Sequence, residues 1–151
     1  MLDDTDRRIL RHLLADPTAD NAALADRAGI TPATLWRRLD RLRDRGVLQG
    51  VEARIDWRAL GYEVEVSLRF TLDKTEPRAF DAFTAAARQV PEVTEIQTFL
   101  GSVDIRLSVI ARDMGHWQQI WRDRILALPH VTDIEPLMLV ATIKDTAELA
   151  L

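Results

Sequence analysis

The chain has 151 residues and a hydrophobic fraction of 47%, enough for packed cores, and it has no cysteine, which excludes disulfides, thiolate zinc sites and cysteine nucleophiles. The net charge of the whole chain is −4, which argues against a nucleic-acid partner. Residues 1–58 do not share this acidity, because they hold 11 Arg against 10 Asp and Glu. The start is unlike a signal peptide and no apolar run approaches the roughly 20 residues that cross a bilayer, so we expect a cytoplasmic protein with no membrane partner.

Two short helices are predicted first. A cap at Asp3 precedes apolar residues that recur at helical spacing until Asp16-Pro17. These residues are Ile9, Leu10, Leu13 and Leu14. A second helix is predicted from Ala22 to Ala28, capped by Asp20 or the asparagine that follows it, and ended by Gly29.

A third helix is predicted between Thr31 and Gly46, with Thr31 as its cap and Pro32 at its first position. Residues three and four apart give it one buried face, formed by Leu35, Leu39 and Leu42. The opposite face carries the candidate DNA-contacting residues Thr34, Arg37, Arg38, Arg41 and Arg45, with Thr31 at the helix start. The short connection around Gly29 makes the second and third helices a helix-turn-helix pair.

This arginine stripe predicts contact with double-stranded DNA. The planar fork of arginine matches phosphate oxygens and the O6/N7 edge of guanine, and the second helix of such a pair enters the major groove. The alternative is a solvated face whose arginines pair with Asp40 and Asp44. Residues 47–56 alternate loosely around Gly50 and indicate a two-stranded wing or a strand leading out, where Arg54 is a further candidate phosphate contact.

The second half of the chain alternates strands and helices after a linker at residues 57–62. A strand is predicted at residues 63–72, a second at 93–100, a third from Val103 to Val109 after a turn, and a last one at 131–143. Between them lie two helices with apolar faces. The first follows Pro77, with Phe80, Phe83, Ala87 and Val90 inward; the second is capped by Asp113, with Met114, Trp117, Trp121, Ile125 and Leu128 inward.

An internal repeat supports one fold for this half. Residues 91–96 and 129–134 match at an offset of 38 residues, each at a helix-to-strand junction. The order strand, helix, strand, strand, helix, strand predicts a ferredoxin-like βαββαβ domain with one sheet face left without a helix. We expect that face to carry valine, leucine and phenylalanine and to be covered by another subunit in a homodimer. The predicted fold class is therefore α+β, with a winged helix-turn-helix domain at residues 1–56 and the ferredoxin-like domain at 63–151.

The chain resembles the Lrp/AsnC, or feast/famine, family of transcription regulators. The resemblance rests on Leu2-Asp3-x-x-Asp6-x-x-Ile9-Leu10, Ala23-Leu24-Ala25-x-x-Ala28-Gly29-Ile30-Thr31, Arg37-Arg38-x-x-x-Leu42, Gly46-Val47-Leu48-x-Gly50, Leu60-Gly61, Pro91-x-Val93 and Gly101-x-x-Asp104. It implies an N-terminal helix-turn-helix domain and a C-terminal ligand-responsive domain, paired as dimers and often assembled into octamers, with amino acids commonly bound between dimers. By position, the implied effector-binding residues are Gly101, Ser102, Val103, Asp104, Met114, Leu137, Met138 and Leu139.

The hairpin in this set also departs from the family pattern. A glycine turn can present N–H groups to a carboxylate and Asp104 can accept from an ammonium group, although Asp104 also suits an ordinary turn residue. Leu100 replaces the usual Thr or Ser, Ile105 the usual aromatic residue, and Arg106 a usually apolar one. The effector is therefore an amino acid, a more apolar or acidic metabolite, or absent.

Two rival interpretations remain. In the first, the chain is an enzyme, because haem-pathway decarboxylases that act on tetrapyrroles have a similar two-domain fold. Decarboxylation of a tetrapyrrole needs clustered histidines, arginines and tyrosines in the second domain. Here His12, His116 and His130 are well separated, and Tyr62 is the one tyrosine. No metal-ligand spacing, phosphate loop or nucleophile motif is present in the sequence, so we expect no catalytic residue, metal or cofactor. In the other interpretation the second domain is an assembly surface without a ligand.

Overall fold

The computed structural model describes residues 1–145, and the chain divides into two compact units. Residues 1–54 form the first unit, with which residues 143–145 group, and residues 55–142 form the second. The end of the predicted second domain, residues 146–151, lies outside the described residues. The predicted α+β class is confirmed, because the first unit is helical and the second is a sheet with helices.

Three capped helices build the first unit: α1 (Asp4–Ala15), α2 (Asn21–Ala28) and α3 (Pro32–Asp44). Gly29 joins the last two at φ 67°, a left-handed conformation that costs glycine little and other residues more. The side chains of Asp3, Asp20 and Thr31 each accept a backbone N–H bond at a helix start, as predicted for Asp3 and Thr31. The helices bury Ile9, Leu24, Ala25, Ala28, Leu35, Leu39 and Leu42.

The predicted wing is not formed as strands, since residues 47–56 have no strand pairing within the described chain. The backbone N–H groups of Val47 and Leu48 instead donate to the carbonyl oxygen of Leu42, at 2.9 and 3.1 Å. Leu48 also packs on the helical core. The loose alternation therefore reflects helix capping and packing, and an isolated two-stranded ribbon this short is marginal without a partner strand.

The second unit is an antiparallel four-stranded sheet with helices on one face. Its strands are β1 (Val64–Leu72), β2 (Val93–Thr98), β3 (Ile105–Ala111) and β4 (Val131–Met138), ordered β2-β3-β1-β4. The helices are α4 (Ala79–Ala87) and α5 (Met114–Ile120), which a π-helical turn at Trp121–Ile125 continues. β4 is shorter than the predicted strand, which was extended to Ile143. The two copies of the repeat begin the two edge strands, as the ferredoxin-like prediction requires. No helix in the described chain is long and apolar enough to span a bilayer.

Two predicted inward residues of these helices are exposed. Phe80 is 40% exposed, because the buried residues Ala79, Phe83 and Ala87 repeat every four positions and Phe80 lies about 100° further round the helix. Met114 is 47% exposed at the first position of α5. The other predicted inward residues of these helices are buried or half-buried.

The sheet face without helices is mostly polar on the inner strands β1 and β3, with Ile110 as an exception, which corrects the expectation of an apolar patch. Alternation along β1 turns its valine, leucine and phenylalanine side chains toward the helices, where they form the core. Opposite them, β1 and β3 place polar residues in register, including Arg69 beside Arg106 and Ser67 beside Ser108. The argument for a homodimer from an exposed apolar sheet therefore fails for these two inner strands.

Candidate nucleic-acid interface and effector hairpin

One flank of α3 forms a surface groove lined by Thr34, Arg37, Arg38 and Arg41. The buried leucines fix the rotation of the helix, so these four residues are turned away from the core. Arg45 caps the C-terminus and is exposed. Arg54 is also exposed, and it donates to the carboxylate of Asp145. The predicted DNA-contacting residues of the helix are thus placed together, whereas Arg54 lies ten residues beyond the end of α3.

Two of the groove arginines are bound by acids at the start of α1. Arg38 Nη1 lies 2.8 and 2.7 Å from the two carboxylate oxygens of Asp3 and 2.8 Å from Asp6 Oδ1. Arg41 Nη2 donates to both oxygens of Asp6, at 2.9 and 2.8 Å. The side chain of Asp6 is 0% exposed, whereas those of Arg38 and Arg41 are 24% and 49% exposed. An acidic pair that also caps α1 therefore holds two arginines of α3.

These contacts lower the pKa of both acids. Hydrogen bonds from Arg38 and then from the Asp6 backbone lower the pKa of Asp3 from 3.8 to about 2. Burial alone would raise the pKa of Asp6, but the bonds from Arg38, from the Asp3 N–H and from Arg41 outweigh it and lower that pKa. Asp3 and Asp6 in turn raise the pKa of Arg38. Both acids are therefore charged at neutral pH, and each stays next to a guanidinium group.

Arg37 differs from its two neighbours. Its Nη2 lies 3.5 Å from the Thr34 hydroxyl, and no carboxylate in residues 1–145 pairs with it. Neither Asp40 nor Asp44 pairs with an arginine of α3 in the described chain. The alternative, in which Asp40 and Asp44 pair with the arginines of α3, is therefore wrong about the acids. Two of the arginines, Arg38 and Arg41, are nevertheless paired, with Asp3 and Asp6.

The effector hairpin lies between β2 and β3, with Gly101 and Ser102 exposed and Val103 half-buried. Asp104 is 5% exposed and turned inward. One of its carboxylate oxygens accepts the N–H of Leu72 at 2.9 Å, and the other lies 3.3 Å from Lys74 Nζ. Its own N–H donates to the carbonyl of Phe70 at 2.9 Å. This side chain joins the hairpin to the end of β1, so its carboxylate already has partners within the chain.

The other implied effector residues lie at the opposite end of the sheet. Leu137 and Met138 pair with Ser67 and Val66 near the start of β1, and the N–H of Leu139 donates to Glu65. Leu137, Met138 and Leu139 line an open groove there with Glu65, Val66, Ser67, Glu95, Arg106 and Ser108. Met114 is the first residue of α5, which follows β3. The last residue of β3, Ala111, pairs with Val64 at the start of β1, so Met114 follows the same end of the sheet. One chain therefore does not bring the hairpin and these four residues into a single pocket.

Sequence reasoning missed the partners of the charged residues. The spacing of Asp3 and Asp6 was visible as a capping pattern, but nothing local indicated that Arg38 and Arg41 would reach it. Arg106, noted as unusual, lies 3.2 Å from Glu95, and Arg69 lies 3.5 Å from Glu135. These pairs offset the repulsion of two arginines directly across β1 and β3. In the described chain, no group of three or more metal-binding side chains is placed to hold an ion.

Comparison with known sequences matches both units. A family model described as winged helix-turn-helix DNA-binding matches residues 2–49, and the Lrp/AsnC ligand binding domain matches residues 65–149. The leucine-responsive regulatory protein of Salmonella typhimurium is 29% identical over 150 residues, covering 99% of this chain and 92% of the relative. The proline dehydrogenase transcriptional activator of Rhodobacter capsulatus is 30% identical over 131 residues, covering 87% and 85%.

Solved structures are similar over almost the whole chain. A transcriptional regulator from Neisseria meningitidis, crystallised with L-methionine, has a TM-score of 0.90 at 27% identity and covers 99% of this chain and 96% of its own. A feast or famine regulatory protein from M. tuberculosis, also complexed with L-methionine, has a TM-score of 0.86 at 29% identity and covers 99% of both chains. The likeness therefore includes both units and is not limited to the helix-turn-helix.

Proposed function

Because the chain belongs to the Lrp/AsnC family of DNA-binding transcription regulators, we propose that it reads duplex DNA with the groove flank of α3. The family consists of regulators and not enzymes, so the decarboxylase interpretation is set aside. The observation that carries the proposal is the cluster of Thr34, Arg37, Arg38 and Arg41 on the exposed side of the second helix of the pair. Thr31, Arg45 and Arg54 are proposed as outer contacts to the DNA backbone.

The DNA proposal is tested by selecting a preferred duplex from a random-sequence pool with the full-length protein. We expect affinity for that duplex to fall steeply as salt rises, since arginines that neutralise phosphates release counterions. A scrambled duplex of equal length is the control, and we expect it to bind about 1,000-fold or more weakly at physiological salt. Equal affinity for the two duplexes would contradict sequence-specific reading.

We also propose that the second unit binds an amino acid. The matching family domain is a ligand-binding domain, and two similar proteins were crystallised with L-methionine. The exposed turn at Gly101 and Ser102 is suited to present backbone N–H groups to a carboxylate. Since Asp104 is already paired, we assign the ammonium group to another acceptor. The apolar part of the effector is assigned to Met114 and Leu137–Leu139.

This assignment requires more than one subunit, because the hairpin and the apolar residues lie at opposite ends of one sheet. We therefore propose a homodimer that assembles further, up to an octamer, with the effector between subunits. A dimer also suits DNA, since two recognition helices read half-sites about 34 Å apart. A monomeric mass in solution, measured by light scattering with DNA or effector present, would contradict this assembly. We also propose that it acts in the cytoplasm, since a DNA-binding regulator must reach the chromosome.

The effector proposal predicts a thermal shift. A panel of L-methionine, L-leucine, other amino acids and keto acids is added to the full-length protein, and unfolding is followed by circular dichroism. A true effector at 100 times its Kd adds about 2.7 kcal/mol to the free energy of unfolding and raises the melting temperature. The Leu137→Ser variant should lose most of that shift, whereas the exposed Leu126→Ser control should keep it.

The same panel separates the remaining interpretations. A shift caused by keto acids alone would favour the acidic metabolite indicated by Arg106. If no compound shifts the melting temperature at millimolar concentration, the second unit is an assembly surface without a ligand.

A further inference from the structure

The contacts of Asp6 engage only one amino group of each bound arginine. Arg38 uses Nη1 for all its contacts with Asp3 and Asp6, and Arg41 uses Nη2 for both its contacts with Asp6. A guanidinium has five N–H donors in a rigid fork, so in each arginine the Nε–H and the other amino group remain available to bind a further partner. Because Asp6 is fully buried and its oxygens are taken, it fixes the orientation of both forks.

We propose that Asp6 is a positioning residue for DNA recognition, which holds Arg38 and Arg41 so that their remaining N–H groups face the duplex. This inference rests on the proposed contact between α3 and DNA. Arg37 has no acidic partner in the described chain, and its one contact there is the 3.5 Å approach of Nη2 to the Thr34 hydroxyl. The helix thus presents two arginines held by Asp6 and one without a carboxylate partner along the same groove.

The physical effect of such a clamp is on specificity. Immobilising a flexible side chain on binding costs about 0.5–1.5 kcal/mol, and a side chain that is already fixed avoids much of that cost. A specific site demands one arginine geometry, whereas non-specific binding depends mainly on charge and tolerates mobile arginines. A buried carboxylate next to the DNA also subtracts positive charge from both modes. Asp6 therefore weakens non-specific binding while favouring the specific complex.

Asp3 has a different place in the cluster. Its side chain is 52% exposed, and Arg38 is the one arginine of the groove that it contacts. It is also the N-cap of α1, where it accepts the Asp6 N–H. Asparagine is an equally good cap, so Asp3→Asn removes a charge without loss of the cap. We expect that variant to strengthen binding to specific and non-specific duplexes by similar factors, because it changes charge and leaves the Asp6 clamp in place.

The test compares Asp6→Asn with wild type on the selected duplex and on a scrambled duplex of equal length, at fixed salt. We expect the ratio of the two affinities to fall about tenfold, with non-specific affinity unchanged or higher. The control is Asp16→Asn, which breaks the 2.9 Å ion pair with Arg27 in the same unit but outside the groove. It should leave the ratio unchanged.

A purely structural role for Asp6 would lower both affinities together, through the folded fraction, and a purely electrostatic role would raise both together. Either result overturns the inference. If Asp6→Asn does not fold, as judged by circular dichroism, Arg41→Lys is the second variant. Lysine keeps the positive charge and can still pair with Asp6, but it lacks the further N–H groups that a guanidinium turns toward DNA. The ratio of specific to non-specific affinity should therefore again fall about tenfold. A wild-type ratio in Arg41→Lys would overturn the inference.

Failure of the underlying DNA proposal gives a different pattern. In that case neither Asp6→Asn nor Arg37→Ala changes the affinity for the selected duplex, and a surface other than the α3 groove must bind DNA. If Arg37→Ala weakens specific binding while Asp6→Asn keeps the ratio of affinities, α3 reads DNA and only the positioning role of Asp6 is rejected.

Discussion

The Arg37→Ala/Arg38→Ala double variant will bind the selected duplex about 100-fold more weakly than wild type, because a bidentate arginine–guanine contact contributes about 1–3 kcal/mol of discrimination. The loss includes phosphate contacts, so the slope of affinity against salt should also become shallower, by about one unit for each phosphate contact removed. Fluorescence anisotropy with labelled duplex at several salt concentrations measures both quantities.

The matched control removes two arginines elsewhere. Arg88, the C-cap residue of α4, and Arg122, in the π-helical turn, are exposed and form no ion pair in the described chain. The Arg88→Ala/Arg122→Ala variant has the same change in net charge, and we expect its affinity to stay within about twofold of wild type, because neither residue belongs to the α3 groove. Equal losses in the two double variants would mean that overall charge, and not the α3 groove, determines DNA binding.

Phe83→Ala will lower the free energy of unfolding of the second unit by about 3–5 kcal/mol, the usual cost of removing a buried phenylalanine ring. Phe83 is 0% exposed, and its ring lies 4.8 Å from that of Phe70, centroid to centroid, in an edge-to-face arrangement. Urea unfolding followed by tryptophan fluorescence measures the loss, since three of the four tryptophans, Trp57, Trp117 and Trp121, lie in this unit.

Phe80→Ala is the control three positions earlier on the same helix. It removes the same ring from an exposed position, so we expect a loss below about 1 kcal/mol. If Phe80→Ala costs as much as Phe83→Ala in the full-length protein, Phe80 is buried in the assembly, in contact with another subunit. If Phe83→Ala costs less than about 1 kcal/mol, the described core is wrong at this position.

These two phenylalanines also show how far the sequence could predict the fold. Alternation over residues 63–72 predicted the strand β1 and placed its apolar residues on one face, because a strand has only two faces. It did not predict that the helices cover this apolar face. A helix face is broader, and an apolar residue at its border is turned in or out by packing with the sheet. Phe83 and Phe80 both fitted the predicted face, and only the four-residue spacing through Ala79 separates them.

The helix-turn-helix was predictable because its signals are local. Caps at Asp3 and Thr31, and a glycine after α2, fix the helix ends through hydrogen bonds that span three or four residues. The state of the arginines was not predictable, since Arg38 and its partner Asp6 are 32 residues apart in the chain. No periodic pattern encodes a contact of that kind. Of the four arginines of the predicted stripe, Arg38 and Arg41 are clamped, and Arg37 and Arg45 have no carboxylate partner in the described chain.

The same limit applies to the effector hairpin. The turn at Gly101 was predicted correctly, whereas Asp104 was included in a strand that in fact begins at Ile105. A carboxylate near a turn has the same sequence signature whether it faces a ligand or the end of a strand. Its partners, Leu72 and Lys74, become neighbours only when β1 and β3 pair. The polar sheet face was missed for a related reason, because the residues between the apolar positions of β1 were not read as a surface of their own.

The strand order leaves two sheet edges, β2 and β4, whose outer backbone groups could template the addition of further strands. Both edges carry features that discourage this. β4 contains Pro136, which lacks an N–H group, between the charged Glu135 and the end of the strand, and the pairing of β2 shifts register between Val93 and Glu95. Assembly of this protein through added strands is therefore disfavoured at both edges of the sheet.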